Sequence, residues 1–369
     1  PQDSDGFFML LLAPKPGDDQ PRVAKDVILV LDHSGSMDGE KFRQAQMALT
    51  YVLNHLNEED RFAVVAFSTG VEHYARGLRP ADEAAEAVSW VNGLSARGST
   101  DINRALLESA ALAEKERPTY LLFLTDGLPT VGITKSQTIL ANVEDVMPEN
   151  VRIFPFGVGY DVDTFLLDTL SQQHHGLSTY VQPGQPLDEI LSSFYEKIST
   201  PVLTNLELNF GKLAVYDIYP YPLPDLFAGN QVVVVGRYRQ GATVDVTLTG
   251  AVNGTRQTFT YPQQGFSQDS RSAATTVTSL PRLWATRKIG YLLNKIRLHG
   301  SDKEAIDQIG RLSIRYGIVT SYTSYLVTEP APLGADNQSR LAQEAFRQAQ
   351  AQPTQAASGQ GAVQKAADQ

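Results

Sequence analysis

The sequence predicts an α/β fold, a doubly wound and mainly parallel sheet, followed by an antiparallel β-sandwich-like segment with two helices. Three observations carry that prediction. From Asp26 to about Thr200, short apolar runs alternate with amphipathic stretches, which is the pattern of βαβ units. After Pro201 the apolar period becomes two, broken by Pro220, Pro222, Pro224, Gly229 and Asn253. The chain has 369 residues, enough for two or three domains at about 150 residues each.

The elements follow in order. Asp26 to Asp32 is almost continuously apolar between two acids, as in a strand buried on both faces. Phe42, Ala45, Ala48, Leu49, Val52, Leu53 and Leu56 recur at helical spacing. Arg61 to Phe67 is a second buried strand, with Val71 to Leu78 as its short partner at the sheet edge. Ala81 to Leu94 and Asp101 to Glu116 are expected helices. Thr119 to Thr125 is a central strand ending at Asp126. A helix over Thr134 to Val146, a strand over Val151 to Val158 and a helix over Asp163 to Gln172 follow, the last capped by Asp161 or Asp163. Ser178 to Gln182 is a short strand and Leu187 to Ile198 a closing helix.

Five strands are expected next, at Leu206–Phe210, Ala214–Ile218, Gln231–Tyr238, Thr243–Thr249 and Gln257–Tyr261. Leu283 to Leu298 and Lys303 to Tyr316 read as helices, the second stopped by Gly317. Ser324 to Thr328 is a last expected strand. The domains therefore read as a flank over 1–25 that packs with the β segment, an α/β domain over 26–200, a β segment with helices over 201–330, and a disordered Ala/Gln-rich tail over 331–369.

Composition excludes several classes. The formal charge is −10, which argues against a nucleic-acid binder. Cysteine is absent, so disulfides, thiolate metal sites and a cysteine nucleophile are excluded. The longest apolar run, Phe7 to Ala13, is far short of the roughly 20 residues of a membrane span. The chain opens at Pro1 rather than Met, which reads as a fragment or processed form.

One constellation carries chemistry. The first buried strand ends in Asp32-His-Ser-Gly-Ser36, the loop at Arg97 to Asp101 contributes Thr100, and the central strand ends in Asp126. Ligands of parallel sheets bind beyond the carboxyl ends of the strands. If the strands of Asp32 and Asp126 are neighbours, two carboxylates meet the hydroxyls of Ser34, Ser36 and Thr100. An all-oxygen set suits a hard divalent cation and disfavours Zn²⁺ or Cu²⁺.

The Asp-x-Ser-x-Ser motif, the Thr in a following loop and the Asp after a buried strand resemble the metal-ion-dependent adhesion site of von Willebrand factor type A domains. Phe154 to Gly159, followed by Asp161 and Asp163, fits a late strand and helix of that Rossmann-like family. The resemblance covers about 26–200. It implies that Ser34, Ser36 and Thr100 contact a metal, with Asp32 and Asp126 bound directly or through water. It implies Mg²⁺ first, with Mn²⁺ or Ca²⁺ as alternatives. It also implies an open coordination position for an Asp or Glu carboxylate of a protein partner, and a last helix, Leu187 to Ile198, that can shift with coordination.

Asp5 to Pro14 and Leu312 to Val327 are similar to segments bracketing this domain in inter-alpha-trypsin inhibitor heavy chains and their bacterial relatives. Those proteins begin with a further β domain, and the resemblance implies that its strands complete the sandwich of 201–280. The Asp-Pro-His-Phe sequence of covalent hyaluronan attachment is absent, so that activity is not carried over.

Rival readings are weaker. An EF-hand starting at Asp32 fails because its twelfth position is Arg43, not Glu. Ser34 and Ser36 lie outside any Gly-x-Ser-x-Gly, and no Walker A motif occurs. His174-His175 reads as a solvated helix end, and Arg287, Lys288, Lys295 and Arg297 as a solvated basic face. Tyr316, Tyr322 and Tyr325 read as packing residues. Asn253 and Asn337 fit glycosylation sequons, which matter only in a secretory pathway. The expected function is a metal-dependent protein-binding module, not an enzyme, of an exported, cell-surface or periplasmic protein. The alternative is a cytoplasmic scaffold docking on a partner ATPase.

Overall fold

The computed structural model describes residues 5–13, 24–199, 201–227, 231–252, 255–267, 280–300, 302–320 and 358–367. The expected strand at Ser324 to Thr328, the asparagines of both sequons, Tyr322 and Tyr325 lie outside the described residues, as does the side chain of Arg297.

The first body is a seven-stranded sheet. Its strands are β2 (Asp26–Asp32), β3 (Arg61–Phe67), β4 (Val71–His73), β5 (Arg79–Pro80), β6 (Thr119–Thr125), β7 (Val151–Val158) and β8 (Thr179–Val181). The order is β4-β3-β2-β6-β7-β8, with β5 also on β3. Pairs β2–β3, β2–β6, β6–β7 and β7–β8 are parallel, and only β4 and β5 run antiparallel.

Side chains alternate across the sheet, so each central strand feeds two cores. Val27, Leu29 and Leu31 face the core shared with α1 (Glu40–Asn54), α2 (Ala84–Gly93) and α6 (Leu187–Ile198). Ile28 and Val30 face the core shared with α3 (Ile102–Ala110), α4 (Ser136–Val146) and α5 (Thr164–Gln173). Helices on both faces explain why every residue of β2 and β6 is buried. The chain leaves β2 toward β3 and returns to β6 on the other side. The crevice at this reversal lies between the carboxyl ends of β2 and β6.

At the opposite end, Lys25 Nζ is 2.6 Å from Asp60 Oδ2, with both side chains fully buried. Asp60 also accepts from the Asn57 N–H and side-chain amide, so the carboxylate is well supplied with donors.

The second body packs two sheets around one core. β1 (Gly6–Leu12), β12 (Val232–Arg239) and β10 (Ala214–Tyr219) form one sheet, in the order β1-β12-β10. β11 (Leu226–Phe227), β9 (Pro201–Asn209), β13 (Thr243–Val252) and β14 (Thr255–Gly265) form the other. Phe8, Leu203, Phe210, Val234 and Leu248 are among the side chains that fill the space between them. α7 (Leu280–His299) covers the outer face of the first sheet through Trp284, which stacks edge-on against Phe7. α8 (Lys303–Tyr316) packs on α7, capped by Asp302 at its start and ended by Gly317 at φ 63°.

Arg152 of β7 ties the two bodies together. Its Nε donates to Asp225 Oδ2 at 2.8 Å, and both side chains are 3% exposed. Arg152 also donates to Asn205 Oδ1 at 2.5 Å, and the Asn205 N–H donates to Asp225 Oδ1.

Several expectations need correction. The helix expected to Glu116 ends at Ala110, because Leu112 and Ala113 N–H groups turn back on Ser109 and Ala110 while the Asn150 amide takes the carbonyls of Glu114 and Arg117. The Val71 to Leu78 strand is only Val71–His73, followed by a second short pairing at Arg79–Pro80. β14 runs four residues past Tyr261, to Gly265. The tail expected to be disordered contains α9 (Gln360–Ala367) within its described residues. Among the described residues, no helix is long and apolar enough to cross a membrane.

Candidate metal centre

The site is built where β2 and β6 end. Asp32 is the last residue of β2, and its buried carboxylate is held by two donors. The Ser34 N–H reaches Oδ1 at 2.8 Å, and the Thr125 hydroxyl reaches Oδ2 at 2.7 Å. The chain then makes one 3₁₀ turn over Gly35–Met37, anchored by the fully buried Met37. That turn brings Ser34 Oγ and Ser36 Oγ to 3.0 Å from each other, and Ser36 donates to Asp126 Oδ1 at 2.7 Å.

The loop before α3 supplies the fifth residue. Arg97 N–H donates to His33 carbonyl, and Gly35 N–H to Gly98 carbonyl at 3.0 Å, which stitches the two loops together. Gly98 sits at φ 82° with Thr69 Oγ1 only 2.8 Å from where a Cβ would be, so no side chain fits there. Thr100 follows, its N–H bonded to Thr130 Oγ1 at 2.9 Å. A Cβ placed on Gly127 would lie 3.7 Å from Thr100 Oγ1 and 3.8 Å from Ser36 Oγ, so the two hydroxyls flank that glycine. The structure thus brings all five expected residues together. Asp32, Ser34, Thr100 and Asp126 are buried, and Ser36 opens to solvent.

Sequence reading missed two residues. The Lys41 ammonium, from the first turn of α1, is bonded to Asp126 Oδ2. A cation in the first turn of a helix opposes the helix dipole unless an acid pairs with it, and that was the available signal. Thr125 carried no signal beyond adjacency to Asp126.

Burial pushes the Asp32 carboxyl up to about 6, against the lowering effect of the Thr125 and Ser34 hydrogen bonds, with Asp126 nearby adding to the rise. Two carboxylates in one crevice draw a cation, and Lys41 already answers one of them. Among the described residues, no group of three or more His, Asp or Glu side chains is placed to hold a metal ion, so a cation in this crevice would draw on hydroxyls besides the two carboxylates. The donor set is all oxygen and fits a hard ion.

His174 does not end solvated. It is 9% exposed, and burial pushes its imidazole down to about 4, with His175 and Arg152 adding to the effect. The Lys288 ammonium bonds Asp217, and Tyr316 packs near Trp284 as expected of a packing residue.

A doubly wound sheet with Asp-x-Ser-x-Ser at its crevice defines a class. Residues 26–192 match the family model of the von Willebrand factor type A domain, and this part of the chain is a domain of that family. Beyond it, the chain is 30% identical to inter-alpha-trypsin inhibitor heavy chain H3 of Rattus norvegicus over 352 residues, which is 88% of this chain and 38% of that protein. Human heavy chain H4 is also 30% identical, over 89% of this chain and 37% of its own length. The chain thus spans less than two-fifths of these relatives. Among solved structures, a von Willebrand factor type A protein from Catenulispora acidiphila aligns with a TM-score of 0.58 at 16% identity, covering 85% of this chain and 87% of its own. The ArnB paralog VWA2 from Sulfolobus acidocaldarius aligns at 0.51, also 16% identical, over 93% and 98%. These likenesses establish the fold.

Proposed function

We propose that the chain is a protein-binding module whose crevice holds a divalent cation, Mg²⁺ first, between Asp32, Ser34, Ser36, Thr100 and Asp126. The observation that carries this reading is the Ser34–Ser36–Asp126 hydrogen-bonded series beside buried Asp32. Neutral hydroxyls leave much of an ion's charge uncompensated, so the ion would supply a Lewis-acidic position for a carboxylate oxygen. The chain's own residues do the rest. Thr125 and the Ser34 N–H fix the Asp32 carboxylate, and the Thr100 and Ser36 hydroxyls both lie beside Gly127.

The action is binding rather than turnover, and the ligand is an Asp or Glu carboxylate of another protein. Similarity to the heavy chains over most of the chain supports an exported or cell-surface setting more than a cytoplasmic scaffold on an ATPase. We also propose that 26–200 and 201–330 act as separate domains joined by the Arg152–Asp225 pair. The test is thermal melting in saturating Mg²⁺ against chelator, then with added glutamate-bearing peptide. A rise in melting temperature with Mg²⁺, and a further rise with peptide only when Mg²⁺ is present, is expected. A peptide effect of equal size in chelator would overturn the metal-dependent reading.

A further inference from the structure

We propose that residues 358–367 are an intramolecular ligand of the α/β domain, docked as a helix in a seat between α5 and β8 that accepts a short small-residue helix. Three observations carry the inference. First, α9 has eight residues, and an isolated helix in water needs about 12–15 to be even marginal. Its order therefore comes from what it packs on. Second, Val363 is 0% exposed and belongs to the buried cluster of Val162, Leu166, Leu170 and Tyr180, with Ala366 packed against the same group. Val363 and Ala366 stand three apart and so share one helix face. Third, polar contacts hold the segment at its start and at its middle. Gly359 N–H donates to the Tyr160 carbonyl at 2.7 Å, and Gln182 Nε2 donates to Gln364 Oε1 at 2.9 Å.

The seat has a physical reason to exist. Among the described residues β8 is the outermost strand of its sheet, and an uncovered edge invites pairing with other chains. α9 lies against that strand and against α5. Tyr160 and Gln182 follow β7 and β8, so the segment grips loops on the same carboxyl edge that carries Asp32 and Asp126, and the turn that begins at Gln182 precedes α6. Its residues suit a close approach. Gly359, Gly361, Ala362 and Ala366 keep the helix slender around one Val. The chemistry read by the seat is thus a short Gly/Ala-rich helix with a central branched aliphatic side chain. Covalent connection through residues 321–357 makes the encounter intramolecular, which favours the chain's own segment over a free competitor.

The test is hydrogen exchange on the full chain, with Val363→Asp as the variant and a synthetic peptide of residues 356–369 as the probe. We expect at least tenfold faster exchange over 360–367 and over 164–181 in the variant, with β2 and β6 amides unchanged. The peptide should restore protection over 164–181 in the variant, and a scrambled peptide should not. In the unsubstituted chain the peptide should change little, because the seat is filled. If Val363→Asp also deprotects β2, Val363→Thr keeps the shape and should give the same local pattern at smaller amplitude. Unaltered exchange over 164–181 in a folded variant, or equal rescue by the scrambled peptide, would overturn the proposal.

Discussion

Lys41 and Asp126 form an ion pair across the mouth of the crevice, the ammonium on Oδ2 while Oδ1 accepts the Ser36 hydroxyl. The pair is lopsided, because the Lys41 side chain is 42% exposed and the Asp126 side chain fully buried. A cation from the chain itself therefore sits on a carboxylate proposed for an ion from solution, and the two would repel.

Lys41→Gln is accordingly expected to raise affinity for Mg²⁺. A half-exposed pair is worth about 0–1 kcal/mol, so the gain should be up to about fivefold, shrinking at high salt. Titration at two ionic strengths measures it. Equal or weaker binding in the variant would show that Lys41 does not compete.

Thr125→Val should lower the stability of the metal-free chain. It removes a 2.7 Å hydrogen bond to a fully buried carboxylate, and such charged bonds contribute about 1.5–3 kcal/mol. Urea denaturation in chelator gives the value. An unchanged midpoint would mean that Asp32 finds another donor.

Asp225→Ala should cost more, on the order of 3–5 kcal/mol, because it strands the buried Arg152 guanidinium. Replacing both partners by apolar residues should cost less than the single change. A loss below about 1 kcal/mol would show that water reaches Arg152 readily.

His174 predicts a pH effect with a definite sign. Its folded pKa, about 4, lies below the ordinary 6.5, so the unfolded chain binds the extra proton first. Stability from this group is full above pH 6.5 and is lost as pH falls toward 4, by on the order of 3 kcal/mol. Denaturation at pH 7 and pH 4.5 should show the loss, and His174→Gln should flatten it. A variant with the same pH slope would assign the loss to other groups.

The central sheet was legible because strands buried on both faces, such as β2 and β6, are unbroken apolar runs. Helices α1 and α6 were legible from their periodic buried faces. What failed had no such period. All residues of β14 are exposed, so alternation could not mark its end. α9 hides in Ala and Gln because a single valine carries its burial. The five residues proposed for the cation could be named from motif and order, and they lie together at the crevice, but the residues that hold them in place were not legible. Lys41 meets its partner 85 positions away and Thr125 93 positions away; the helix position of Lys41 signals that it needs an acid but not which one, and Thr125 has no local signal at all.

The most direct measurement is calorimetric titration of the metal-free chain with Mg²⁺, then Mn²⁺ and Ca²⁺, beside Asp126→Ala. The account predicts saturable binding of one ion per chain, lost in the variant. Absence of heat and of any thermal shift at millimolar ion, or equal binding in Asp126→Ala, would contradict a cation held between Asp32, Ser34, Ser36, Thr100 and Asp126.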